Sequence, residues 1–276
     1  MKVIVAEHSG ICFGVKRALD TVYSESKKCE TLCTLGPLIH NPQVVESLRK
    51  EGVGVADKVA DAKGAIVMPS HGVAREVIDE ALSLGLKVID ATCPFVSNVH
   101  EKVRRLARSG YEVVIVGDSG HSEVKAIKSA AGDNAVVLES AEEASKGDWN
   151  GKMVGIVSQT TQTPACFAAV VAVIAAQATE TLAYNTICYA THRRQSAARE
   201  LAPKVDAVVV VGGRNSANTN RLAEICAETG VPTYHIEKAE ELDPAKLAGA
   251  KVVGLTAGAS TPDWIINEVK TALESM

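Results

Sequence analysis

Short runs of β-branched and other apolar residues alternate along this chain with longer stretches whose apolar positions recur every three or four residues. Side chains point to opposite faces along a strand but return to one face of a helix at that longer spacing, so the first kind predicts strands and the second amphipathic helices. Strands are predicted over 3–6, 31–35, 65–68, 87–90, 113–116, 135–138, 153–157, 181–184, 207–211, 233–236 and 252–256. Helices are predicted from about Gly14, Pro42, Val73 and Pro94, and a helical pattern follows each later strand. A strand-helix rhythm of this kind argues for an α/β protein with parallel sheets covered by helices.

No Pro/Gly/Ser-rich linker or low-complexity tract divides the chain, so its organisation must be read from repetition. Three segments run an apolar strand into a cysteine that is followed by a helix: Val3-Ile-Val-Ala-Glu-His-Ser-Gly-Ile-Cys12, Val88-Ile-Asp-Ala-Thr-Cys93 and Ala183-Tyr-Asn-Thr-Ile-Cys188. The intervals of 81 and 95 residues suit three small α/β units of comparable size. The boundaries this predicts are 13–92, 93–187 and 188–276, the last joined by 1–12.

Composition narrows the function. With 276 residues, 46% hydrophobic and 22% charged, the chain can bury a core in each of several small units. The net charge of -4 comes from interspersed acids and bases, with no basic stripe to collect a nucleic-acid backbone. Residues 1–6 lack the charged leader and cleavage site of a signal peptide, and no run of 18 apolar residues occurs, so a cytoplasmic location is expected, without membrane or nucleic-acid partners. Seven cysteines, an odd number thinly spread, point to metal binding or catalysis rather than disulfides.

A cysteine between strand and helix sits near a helix N-terminus, where the macrodipole favours the thiolate that binds metal. Pro94 suits the first turn of the helix after Cys93, because its missing N–H is not needed there. One such cysteine reads equally well as a small core side chain; three in the same setting point to a shared centre. Without a Cys-x-x-Cys pair the usual structural zinc pattern is missing, and three thiolates suit a cuboidal iron-sulfur cluster with one open iron, able to act as a Lewis acid on substrate oxygen. Cys29, Cys33, Cys166 and Cys226 have no strand-end setting and read as structural.

Polar residues repeat the strand-end theme. His40, His71 and His121 each close a strand and open a helix, whereas His8, His100, His192 and His235 read as structural. Ser158-Gln159-Thr160-Thr161 ends another strand. Glu123, two residues after His121, is the natural proton donor, although a first-turn glutamate can simply complement the macrodipole. Asn215-Ser216-Ala217-Asn218-Thr219 and Gly258-Ala259-Ser260-Thr261-Pro262-Asp263 open helices with small hydroxyl and amide residues, suited to a phosphate or diphosphate or, alternatively, to capping alone.

In order, Ala6-Glu-His-Ser-Gly-Ile-Cys12-Phe-Gly-Val-Lys-Arg, Thr34-Leu-Gly-Pro-Leu-Ile-His40-Asn-Pro, Asp90-Ala-Thr-Cys93-Pro, Thr186-Ile-Cys188-Tyr-Ala-Thr and Thr256-Ala-Gly-Ala-Ser260-Thr-Pro-Asp resemble the signatures of the 4-hydroxy-3-methylbut-2-enyl diphosphate reductase family along the whole chain. The resemblance implies three α/β/α units in a pseudo-threefold trefoil around a central 4Fe-4S cluster on Cys12, Cys93 and Cys188. It implies that the substrate hydroxyl binds the open iron, that Glu123, Thr160 and His121 handle protons, and that His40, His71, His121, Thr160, Ser216, Asn218 and Ser260 contact the substrate. Two electrons and protons, the electrons from ferredoxin or flavodoxin, then expel water and yield isopentenyl or dimethylallyl diphosphate, the last step of the non-mevalonate pathway, in a monomer. Pro69, Ser122 and Ala217 depart from the family pattern, where arginine, proline and serine are expected. The competing readings are an iron-sulfur electron carrier or redox sensor using the same cysteines, and a zinc-dependent hydrolase.

Overall fold

The computed structural model describes residues 1–132 and 135–276. In chain order its elements are β1 (Lys2–Val5), α1 (Phe13–Ser26), β2 (Leu32–Leu35), α2 (Pro42–Lys50), β3 (Gly54–Ala56), β4 (Ala65–Met68), α3 (Arg75–Ser83), β5 (Lys87–Asp90) and α4 (Pro94–Arg108). There follow β6 (Glu112–Val116), α5 (Ser122–Ala131), β7 (Ala135–Leu138), α6 (Ala141–Ser145), β8 (Met153–Ser158), α7 (Pro164–Ala175), β9 (Glu180–Ala183) and α8 (Tyr189–Leu201). The chain ends with β10 (Ala207–Val211), α9 (Ala217–Ala227), β11 (Thr233–Ile236), β12 (Val252–Ala257) and α10 (Asp263–Ser275). All eleven expected strands are present to within a residue or two at either end; β3, three residues long, is an addition.

Among the described residues the strands form three four-stranded sheets, in the orders β1-β12-β10-β11, β3-β2-β4-β5 and β7-β6-β8-β9, and every pairing is parallel. Parallel strands need helical crossovers, and the helices cover the sheet faces. This is why the central strands are apolar at every position instead of alternating. In β10, Ala207, Val209 and Val211 enter one core with Leu255 and Ile265, while Val208 and Val210 enter another with Leu222. In β6, Val113 and Ile115 face Leu106 and Ile127, and Val114 and Val116 face Phe167 and Ile174. Burying each valine or isoleucine is worth about 1.5–3 kcal/mol, so both faces contribute to fixing the register.

The three sheets share one plan. In each, the first strand of a chain-consecutive set lies between the second and the third, and a fourth strand forms the edge beyond the third. The fourth strands are β5, β9 and, from the opposite end of the chain, β1; Cys93, Cys188 and Cys12 follow them. The chain reverses its direction across each sheet between the first and third strands, and ligands in open α/β sheets bind at the carboxyl ends of strands beside such a reversal. The loops there hold His40 and His71, His121 and Thr160, and Ser216 and Ser260.

By internal contacts the chain forms two compact units. One comprises Met1–Lys16, Ile39–Ser47 and Tyr189–Met276; the other comprises Arg17–Leu38 and Leu48–Cys188. The first contains the sheet of β10, and the second contains the other two sheets.

Candidate active site

Within the first unit, three loops meet beyond β10 and β12. Ser260 Oγ donates to the carbonyl of His40 at 3.2 Å, and Thr261 Oγ1 donates to that of Val211 at 3.0 Å. A side chain at Gly213 would place its Cβ 2.5 Å from the His40 carbonyl oxygen, so the approach of these loops requires glycine there. Ser216 caps α9 by accepting the Thr219 N–H at 3.3 Å. Capping therefore accounts for Ser216 but not for Asn218 in the first turn. Asn218 is 5% exposed, and both its amide oxygen and amide nitrogen are buried without a hydrogen-bond partner.

Asn41 belongs to the same unit. Its Oδ1 accepts the Val44 N–H at 3.0 Å, while its Nδ2 is buried and unpartnered. Leaving such groups unsatisfied costs about 1–3 kcal/mol each, a penalty that a polar ligand relieves. Burial lowers the pKa of His40 and favours the neutral ring. Arg214 is engaged elsewhere: its N–H donates to Glu237 Oε1 and its guanidinium pairs with Glu241 at 2.7 Å. The donors offered to an anion are thus backbone N–H groups at helix starts, hydroxyls and amides.

The second unit holds the acid-base groups. Glu123, in the first turn of α5, is 3% exposed. Its Oε1 accepts the Thr160 N–H at 2.6 Å, and its Oε2 accepts Thr160 Oγ1 at 2.8 Å. Burial pushes the carboxyl up to about 7 against the opposing effect of the Thr160 bonds. At neutral pH it is thus divided between its acid and base forms, as a proton donor requires. His121 caps α5, its Nδ1 accepting the Glu123 N–H at 3.1 Å; this geometry assigns the neutral ring's proton to Nε2. The His71 ring lies edge-on to that of His121, with centroids 6.5 Å apart.

All three strand-end cysteines are half-buried and start helices in the same way. The Cys12 N–H donates to Ala259 O at 3.0 Å, that of Cys93 to Ser70 O at 2.9 Å, and that of Cys188 to Thr160 O at 2.9 Å. Each acceptor lies in the loop after the neighbouring third strand. Cys12 Sγ also accepts the Val15 N–H at 3.4 Å. Pro94 occupies the first turn after Cys93, as expected. Soft sulfur donors on fixed backbones at helix starts fit an iron-sulfur cluster. Among the described residues no three His, Cys, Asp or Glu side chains are arranged to hold one metal ion.

A family model described as LytB protein matches residues 3–274. The chain belongs to the LytB family. Within it, the protein named 4-hydroxy-3-methylbut-2-enyl diphosphate reductase from Geotalea daltonii is 48% identical over 277 residues, covering 100% of this chain and 98% of that one. The protein of the same name from Trichlorobacter lovleyi is 46% identical, with coverage of 100% and 99%. A solved structure of (E)-4-hydroxy-3-methyl-but-2-enyl diphosphate reductase, titled the terminal enzyme of the non-mevalonate pathway, is 44% identical with a TM-score of 0.70 and full coverage of both chains. The Plasmodium falciparum structure titled E-1-hydroxy-2-methyl-but-2-enyl-4-diphosphate reductase is 28% identical, with a TM-score of 0.93 over 99% of this chain and 87% of that one.

In this LytB chain the first unit brings together His40, Ser216, Asn218 and Ser260 with the start of α1 after Cys12. The second contains His71, His121, Glu123, Thr160, Cys93 and Cys188. Cys33 and Cys226 are buried, and burial raises both thiols, Cys226 to about 11. His235 Nε2 bonds Gly212 O at 2.8 Å, a structural role. Asn41 and Thr186 were missed from the sequence. An asparagine before the helix-opening Pro42 is a capping signal, and Thr186 stands two residues before a candidate ligand.

Proposed function

We propose that this chain reduces 4-hydroxy-3-methylbut-2-enyl diphosphate to isopentenyl and dimethylallyl diphosphates by two-electron reductive dehydroxylation, using a 4Fe-4S cluster held by Cys12, Cys93 and Cys188. The observation that carries this reading is Glu123, a buried carboxyl poised near neutrality and bonded at both oxygens to Thr160, whose carbonyl in turn accepts the Cys188 N–H. When bound, the cluster supplies electrons one at a time and an open iron that polarises the substrate hydroxyl.

The chain's own residues do the rest. Asn218, Ser216, Ser260, His40 and His71 hold the diphosphate, and the amide of Asn218 gains in the complex the partners it lacks without it. Glu123 delivers a proton to the departing hydroxyl oxygen, so that the carbon–oxygen bond breaks with water as the leaving group. Thr160 Oγ1 steadies the carboxylate left behind, and His121 supports proton movement beside it. Overall, substrate, two electrons and two protons give the alkenyl diphosphate and water.

The same reading divides the chain at 13–92, 93–187 and 188–276 with 1–12. It takes ferredoxin or flavodoxin as electron donor to a cytoplasmic monomer; no helix among the described residues is long and apolar enough to cross a membrane. An electron carrier or redox sensor could use the same thiolates, but it needs neither a buried acid near pH 7 nor a diphosphate cradle. Anaerobically purified protein should be brown and, with dithionite and methyl viologen, convert the substrate to the two C5 diphosphates. A brown protein without turnover would favour the carrier, and a colourless one would remove the cluster.

A further inference from the structure

The turn that holds Glu123 is fastened by a group outside the set described above. Thr186 is 8% exposed, and its Oγ1 spends its full hydrogen-bonding capacity on one residue. It donates to Ser158 O at 2.6 Å, accepts the Ser158 N–H at 2.8 Å, and lies 3.2 Å from Ser158 Oγ. The β8–β9 ladder ends at Ile156 paired with Ala183, after which the Tyr184 N–H reaches Ile156 O at 2.8 Å. Beyond that point the two chains diverge from regular pairing, and the Thr186 hydroxyl supplies the missing rung. The next rung is the Cys188 N–H on Thr160 O at 2.9 Å. Segment 158–160 is thereby clamped at both ends, with Thr160 between the clamp and Glu123.

The other two sheets give a comparison within the same molecule. They hold their cysteines by the same backbone rung, yet two residues before the cysteine one has a plain backbone bond, Ala91 N–H to Met68 O at 3.2 Å, and the other has Gly10, so neither uses a side-chain hydroxyl there. Placing a strand-end cysteine therefore does not require a side-chain clamp that grips both the N–H and the carbonyl of the facing residue. It occurs in the sheet whose third-strand loop must also hold an acid.

We infer that Thr186 is a positioning residue for proton delivery: it fixes the Ser158–Thr160 turn so that the Thr160 N–H and Oγ1 stay aligned on the Glu123 carboxyl. This rests on the reading of Glu123 given above. A small misalignment of a proton donor lowers the rate without altering how the diphosphate is held.

The test compares Thr186→Val, which keeps the shape and removes the hydroxyl, with Thr186→Ser, which keeps it. With dithionite and methyl viologen as reductant, Thr186→Val is expected to lower kcat about tenfold with KM within about twofold, and Thr186→Ser to restore most of the rate. Iron content and visible spectrum should match the parent in both. The protonated carboxyl stretch of Glu123, identified in infrared spectra by its loss in Glu123→Gln, should shift in the valine variant as its Thr160 bonds loosen. An unchanged kcat and carboxyl band would overturn the inference, as would loss of iron from Thr186→Val, which would show the clamp serving Cys188. Retained turnover in Glu123→Gln would instead remove the acid itself, and with it the reading on which this inference rests.

Discussion

Replacing Glu123 with glutamine should slow turnover by orders of magnitude and, above neutral pH, make the protein more stable. In the fold the carboxyl is pushed from 4.5, the value of a solvated glutamate, up to about 7 by burial. Between those two values the folded chain keeps a proton that the unfolded chain releases, so stability falls as pH rises through the interval and is level above it. Each pH unit is worth about 1.4 kcal/mol, which puts the whole interval at about 3 kcal/mol. Glutamine carries no titrating proton and can keep both bonds, its Oε1 accepting the Thr160 N–H and its Nε2 donating to Thr160 Oγ1. The variant should therefore match the parent at pH 4.5 and exceed it by about 3 kcal/mol at pH 8, while the rate falls by about two to four orders of magnitude. Denaturant midpoints followed anaerobically by far-ultraviolet circular dichroism across that range give the first quantity, and substrate turnover gives the second. A stability difference that is flat with pH would mean that burial does not perturb this carboxyl, and the assignment of Glu123 as a poised acid would lose its physical basis.

Three further outcomes are expected. Cys93→Ser should lose iron and the brown absorption while Cys29→Ser keeps both; colour unchanged in the first would exclude Cys93 as a ligand. Asn218→Leu removes two unpartnered buried atoms, so substrate-free stability should hold or rise by about 1–2 kcal/mol while KM rises at least about tenfold; an unaltered KM would take Asn218 out of the diphosphate cradle. Gly213→Ala forces a Cβ to within 2.5 Å of the His40 carbonyl, which should destabilise the first unit by about 1–3 kcal/mol and weaken competitive inhibition by inorganic diphosphate. Wild-type inhibition and stability in that variant would show the loops to be more separable than their packing implies.

The sheets were legible because parallel strands buried on both faces are written as uninterrupted apolar runs, as Val113 to Val116 and Ala207 to Val211 illustrate. β3 escaped notice because it is three residues long, begins with Gly54 and sits at a sheet edge. The helix expected from Val73 starts at Arg75, since Ala74 still has extended backbone at its N-cap. Cys12, Cys93 and Cys188 could be picked out because their setting repeats three times. Thr186 could not, because its importance depends on a contact with Ser158 that lies 28 residues away and leaves no periodic trace. Asn218 was legible as a helix opener, but its two unsatisfied amide atoms, which separate binding from capping, are visible only in three dimensions.

The edge strand β1 pairs in register with β12, Lys2 opposite Val252. The two halves of that pairing lie about 250 residues apart, so at about 5–20 residues per second β1 is made roughly ten to fifty seconds before its neighbour. Until then the loop carrying Cys12 has no Ala259 carbonyl on which to anchor. On the reading proposed above, a polypeptide stopped before Ala259 would hold Cys12 without the carbonyl that fixes its loop, and one of the three sulfur anchors would be left unplaced.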